Sequence, residues 1–164
     1  MADVANAGLP AGISLRPITT ADMAFLFKVY ASTREEELAV VPWTPEQKVA
    51  FLGMQFQAQH SHYQTHYADA SFQIVQEHET PIGRLYVHRS PSTIMVMDIA
   101  LMPEYRGKGL GSTLMKQIQT EAREAGKTVK IYVEQNNRAL SIYRKLGFVQ
   151  TGLEGVYFAM EWHA

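Results

Sequence analysis

The chain has no cysteine among its 164 residues. That excludes disulfides and thiolate chemistry, and it accords with a reducing compartment. No apolar run approaches the ~20 residues of a membrane-spanning helix. Charge of either sign is not in excess: 15 basic and 16 acidic residues leave a net charge of −1, so no global field draws the chain to nucleic acid or an anionic membrane. The one Gly-Lys-Thr triplet, Gly126-Lys127-Thr128, has Glu121 where a P-loop needs its first glycine, which excludes that motif. A dinucleotide fingerprint fails as well, because its third glycine would fall on Ser112. Internal repeats, low-complexity tracts and linkers are absent. Residues 1–11 lack the basic and apolar regions of a secretory signal and read as a flexible tail. The expected location is the cytoplasm.

What remains is an ordinary globular composition, 46% hydrophobic, enough for one domain over residues 12–164. Ile13, Leu15 and Ile18 mark a short strand that stops near Pro17. Thr19 to Asp22 reads as a helix start, with Met23, Leu26, Phe27 and Tyr30 following at helical spacing. Arg34, Glu35, Glu36 and Glu37 read as the end of that helix and its loop. Thr44, Pro45 and Gln47 form a capping-box start for a second helix, ending near Tyr63 or Tyr67, with Val49, Leu52 and Phe56 as its stripe.

A hairpin is expected next, with arms at residues 72–76 and 81–87, then a buried strand at residues 93–101 whose only charge is Asp98. Leu110, Leu114, Ile118, Ala122 and Ala125 give a 3.6-residue stripe ending at Gly126. Val129, Ile131 and Val133 alternate as a strand, and Asn136 is placed to cap a short helix stopped by Gly147. Residues 148–150 and 156–162 pair through residues 152–155. The order β-α-α-β-β-β-α-β-α-β-β is that of an α/β layer structure with a mixed sheet.

The segment joining the buried strand to the amphipathic helix carries the chemistry. Arg106-Gly107-Lys108-Gly109-Leu110-Gly111, followed by Ser112, reads as strand, glycine loop, helix. Glycine permits positive φ and close approach of a ligand to the backbone. The first N–H groups of a helix lack internal partners and sit at the positive end of its dipole. Together these make a phosphate site, with Arg106 and Lys108 adding charge.

This R-x-x-G-x-G loop resembles the pyrophosphate loop of the GCN5-related N-acetyltransferases. A second segment strengthens the likeness: Asn136, Ala139, Tyr143, Gly147 and Phe148 match the N-x-x-A-x-x-x-Y-x-x-x-G-F pattern of that family. The resemblance spans about residues 13–162. It implies a mixed, mostly antiparallel sheet of about seven strands flanked by about four helices. It also implies acetyl-CoA as cosubstrate without a metal, and transfer to an amine, small or on a protein, by direct attack in a ternary complex. By the same resemblance the amides of Gly107, Lys108, Gly109, Leu110, Gly111 and Ser112 hold the pyrophosphate beside Arg106. Ile99, Ala100 and Leu101 line the pantetheine arm, with one N–H facing the thioester oxygen. Asn136 bonds that arm, and Tyr143 protonates the leaving sulfur. Many relatives are dimers, so a homodimer is one expectation. Neither nucleic acid nor membrane is an expected partner.

The general base does not carry over. The family position on the central strand is Met95 here, which cannot take a proton. Strand alternation puts Asp98 on the opposite face from Met95, where it serves as an anchor or as a carboxylate in the reaction. Glu134, the cluster Glu35, Glu36 and Glu37, and a water chain are the other candidates. The acceptor is expected between the two N-terminal helices and the last hairpin, near Glu35, Glu36, Trp43, Tyr63 and Tyr157, which together suit a cationic amine. His60, His62 and His66 stand near the end of the second helix; His62 and His66 have a zinc-compatible spacing but no obvious third ligand. A non-catalytic acyl-CoA sensor is the alternative function, and the effect of Tyr143→Phe on transfer separates the two.

Overall fold

The computed structural model describes residue 6 and residues 8–164. Its sheet comprises β1 (Ile13–Pro17), β2 (Ser71–Glu77), β3 (Thr80–Arg89), β4 (Thr93–Leu101), β5 (Thr128–Glu134), β6 (Val149–Glu154) and β7 (Tyr157–Trp162), in the spatial order β1-β2-β3-β4-β5-β7-β6. Every neighbouring pair is antiparallel except β4 and β5. Of the expected tail, residues 1–5 and 7 lie outside the described residues. Asn6 Oδ1 accepts from the Leu15 N–H at 2.7 Å, and Leu9 packs against the core.

Five α-helices flank the sheet among the described residues: α1 (Met23–Thr33), α2 (Glu35–Ala39), α3 (Pro45–His66), α4 (Leu110–Ala125) and α5 (Leu140–Lys145). The extra one, α2, forms where a loop was expected, because the glutamates of its first turn complement the helix dipole. The capping box of α3 forms as read: the Gln47 N–H donates to Thr44 Oγ1 at 3.2 Å and the Thr44 N–H to Gln47 Oε1 at 2.9 Å. Its stripe starts later than expected. Leu52 and Phe56 are buried, but Val49 is 58% exposed.

Two cores result. Under α4 and α5, Leu85, Val87, Ile94, Val96, Leu114, Ile118, Val129, Ile131 and Tyr143 pack together. Under α1 and α3 the cluster is Leu26, Tyr30, Leu52, Phe56, Ile74 and Tyr86. Each fully buried Leu, Ile or Met of α4 contributes about 1.5–3 kcal/mol, which holds the N-terminus of α4 against the end of β4.

Three local details differ from the sequence reading. The last hairpin turns at Gly155 and Val156, not at residues 152–155, since β6 runs to Glu154, which pairs with Tyr157. The turn into α5 is bonded by Asn137, whose Oδ1 accepts from the Ala139 N–H at 2.8 Å, and not by Asn136. The third difference shapes the site. Opposite β3 the register slips between Tyr86 and Val87, so Val96 faces Val87 and Asp98 faces Tyr86, with Met97 as an extra residue. Met95 pairs with His88, and Tyr86 and His88 share a face of β3. The bulge at Met97 therefore brings Asp98 to the same face as Met95, toward α1 and α3.

Candidate active site

A 3-10 turn, Pro103–Tyr105, follows β4. Arg106 then folds back: its Nε donates to the Leu101 carbonyl at 2.8 Å and its Nη2 to Ser32 Oγ at 3.1 Å. The arginine thus ties the loop to the end of β4 and to α1. Gly107 and Gly109 have φ of 75° and 83°, a region that L side chains rarely adopt. The first helical bond of α4 runs from the Thr113 N–H to the Gly109 carbonyl at 3.0 Å. The N–H groups of Leu110, Gly111 and Ser112 precede it and have no intrahelical acceptor. A Cβ added at Gly107, Gly109 or Gly111 meets no atom within 4 Å. The space above this loop is therefore open to a ligand. Lys108 Nζ lies 5.7 Å from the centroid of the Tyr105 ring.

β4 and β5 pair only from Thr93–Thr128 to Val96–Ile131. Beyond that point β5 stays with β7 and β4 stays with β3, so the strands separate and the cleft-side main chain of residues 97–101 has no strand beside it. A cavity of about 210 Å³ occupies the separation, lined by Ile99 and Ala100 from β4, Glu134 at the end of β5, Tyr143 of α5, and Tyr30, Arg34, Gln59 and Tyr63 from the α1 and α3 side.

Tyr143 is 7% exposed and stacks edge-on against Phe148, with ring centroids 6.0 Å apart. Among the described residues no protein group takes a hydrogen bond from its hydroxyl. Burial, reinforced by the negative charge of Asp98, pushes its pKa up to about 12. The phenol thus keeps its proton at neutral pH. Tyr63 is shifted upward by the same two causes in the same order.

The carboxylates on the cavity wall are both ion-paired. Asp98 Oδ2 accepts from Arg84 Nη2 at 2.5 Å, and the same nitrogen donates to Gln59 Oε1 at 3.0 Å. The Arg84 guanidinium is 2% exposed and its carbon lies 4.9 Å from the Tyr86 ring centroid. Glu134 Oε1 accepts from Arg34 Nη1 at 2.8 Å, and Arg34 also reaches Glu37 at 3.1 Å. Glu36 pairs with Arg138 at 2.6 Å on the surface. Asp98 is therefore both an anchor for Arg84 and part of the cavity wall.

The structure gathers most of the expected site but not all of it. Ile99, Ala100 and Tyr143 share the cavity, and Tyr63 and Tyr157 line it too. Leu101 ends β4 and receives Arg106. Asn136 is exposed, whereas its neighbour Asn137 lines the cavity. Trp43 stacks on Phe51 at 5.1 Å instead. Glu35 lines a separate cleft of about 540 Å³, formed by α1, α2, the start of α3 and residues 102–104. His62 and His66 lie 4.5 Å apart by ring centroids, but the described residues contain no group of three or more metal-ligating side chains.

Sequence reasoning missed Arg84, Arg34 and Gln59. A signal existed for the first. Arg84 is the lone charge of the arm expected at residues 81–87, as Asp98 is of the next strand, and two such charges on adjacent strands must meet or leave each other unpaired.

Residues 30–148 match the Acetyltransferase (GNAT) family. The chain belongs to that family. It is 41% identical over 51 residues to the L-amino acid N-acyltransferase MnaT of Escherichia coli (strain K12), a stretch covering 30% of each chain. It is 32% identical over 66 residues to the uncharacterized N-acetyltransferase ycf52 of Porphyra purpurea, covering 38% of this chain and 37% of that one. The chain thus spans about a third of the length of these curated relatives. Among solved structures it is similar to the PaiA N-acetyltransferase of Thermoplasma acidophilum in complex with coenzyme A, with a TM-score of 0.71 and 21% identity, covering 93% of this chain and 99% of that one. Ard1 of Thermoplasma volcanium superposes with a TM-score of 0.63 and 16% identity, covering 94% and 99%. At these identities the two structures establish the shared fold.

Proposed function

We propose that the protein is an acetyl-CoA-dependent N-acetyltransferase that passes the acetyl group to a primary amine by direct attack. The observation that carries this reading is the separation of β4 from β5 beyond Val96 and Ile131, with a helix N-terminus at one end of it and a buried, protonated phenol on its wall.

The residues present fit the cosubstrate. The N–H groups of residues 107–112, with open space at three glycines, offer a cradle for a diphosphate. The unpaired main chain at Ile99, Ala100 and Leu101 can bond an extended amide chain as a strand would. Asn136 or its neighbour Asn137 offers a further amide contact. An N–H from the same stretch of β4 would polarise the thioester oxygen and stabilise the oxyanion.

The bonds balance simply. The amine nitrogen forms a bond to the carbonyl carbon, the carbon–sulfur bond breaks, and the sulfur takes the Tyr143 proton. The phenol is restored by the proton that the nitrogen sheds. Asp98, Glu134 or water carry that proton. Holding both reactants in one cleft supplies the remainder, since orientation alone is worth several kcal/mol of barrier.

Titration of the purified protein with CoA, followed by an amine-panel assay of thiol release, tests the reading. Micromolar to submillimolar uptake is expected, weakened at least ~tenfold by Gly111→Val, because a side chain there fills the ligand's space and not the protein's. Uptake that is absent at millimolar CoA, or indifferent to that substitution, refutes it.

A further inference from the structure

We infer that the acceptor is a small zwitterion of the α-amino acid class, its amino group received by Asp98 and its carboxylate by Arg34 and Arg84. The inference deepens the proposed function and rests on it for the reaction, though not for the binding it predicts.

The cavity wall carries two guanidinium groups, Arg34 and Arg84, and two carboxylates, Asp98 and Glu134. Their two ion pairs leave it neutral overall, yet each charged group is only partly used. Arg84 spends Nη2 on Asp98 and Gln59, and its Nη1 has no partner among the described residues. Arg34 spends Nη1 on Glu37 and Glu134, and its Nη2 has none. On the acidic side Asp98 commits Oδ2 alone, and its side chain is 18% exposed.

A guanidinium presents up to five donors, and carboxylate is the group whose geometry matches them. The wall thus offers open acceptors and open donors together, beside the rings of Tyr30, Tyr63, Tyr143 and Tyr157. A plain amine would satisfy Asp98 and leave the arginine donors dry, which a low-dielectric site penalises. A ligand with separated charges and no net charge matches both. The positive field of Arg84 is also felt beyond its ion pair: His60 is held below its ordinary pKa by burial and then by Arg84.

The test compares each of several α-amino acids with its decarboxylated amine and its carboxamide. Binding is measured by calorimetry with and without saturating CoA, and transfer by thiol release. Amino acids should bind about 10–100-fold more tightly than either analogue, the range of a charge-assisted hydrogen bond. Arg34→Gln should shrink that preference without abolishing CoA uptake. Amines or carboxamides that bind as well as the acids, or a preference untouched by Arg34→Gln, overturn the inference. Failure of CoA itself to bind strikes the proposed function instead. The preference for the carboxylate is still read in the titrations without CoA.

Discussion

Replacing Tyr143 by Phe separates chemistry from structure more cleanly than any other single change. The hydroxyl has no protein partner among the described residues, so its loss orphans none of their buried groups. The ring keeps its contact with Phe148 at 6.0 Å, and stability should change by no more than about 0.5 kcal/mol. CoA affinity should be unchanged, because the loop of residues 107–112 is untouched. Turnover should fall at least ~tenfold, toward the ~100-fold or more of a lost general acid. A second signature follows from the pKa of about 12 against an ordinary 10. Burial favours the neutral phenol, so its contribution to stability is complete below pH 10 and is lost as pH rises through 12. Two units amount to about 2.7 kcal/mol, so the variant should show a flatter loss of stability across that window. The assays are thiol release, CoA calorimetry and thermal melts at stepped pH. Turnover within twofold of the parent refutes the assigned role. So does a turnover loss that merely tracks a fall in CoA affinity and melting temperature.

Three further outcomes are expected. Gly83→Ala would place a Cβ 2.4 Å from the Ala100 carbonyl oxygen, and should destabilise the protein by about 1–3 kcal/mol while weakening CoA uptake, read by denaturant melts and calorimetry. Asp22 is buried and accepts two hydrogen bonds from Arg16 at 2.8 Å; Asp22→Ala should cost about 2–3 kcal/mol at neutral pH in urea melts. Arg16, and then the Thr19 hydrogen bonds, hold the Asp22 carboxyl far below the usual carboxylate range against the opposing effect of burial. Its contribution is therefore full above about pH 4 and is lost as pH falls further, so parent and Asp22→Asn melts should converge on acidification.

Much of this was legible in the residues because it depends on local rules. Thr44, Pro45 and Gln47 specify a helix start through their own hydrogen bonds, and the structure makes them. The run from Arg106 to Ser112 announces an unpartnered helix N-terminus regardless of what surrounds it. Alternation in β5 placed Val129, Ile131 and Val133 in the core. The misses share a cause of the opposite kind. Arg34 and Glu134 are 100 positions apart in the chain, and Arg84 and Gln59 are 25 apart. Nothing near Arg34 in the chain names Glu134.

The most consequential miss was a single extra residue. Without the bulge at Met97, simple alternation would turn Asp98 toward α4 and into an apolar core of Val96, Leu114 and Ile118. There an unpaired carboxylate would be too costly to keep ionised. With the bulge, Asp98 reaches the Arg84 side of β3, diagonal to it in the ladder where Tyr86 faces Asp98 and Arg84 faces Ala100. The same slip interrupts the β3–β4 ladder next to the point where β4 leaves β5. One inserted residue thus turns the charge into the cleft beside the point where the strands part. In that sense the strand that looked like a buried structural element is where core becomes site, and Asp98 reads as an anchor or as a working carboxylate only once its face is known.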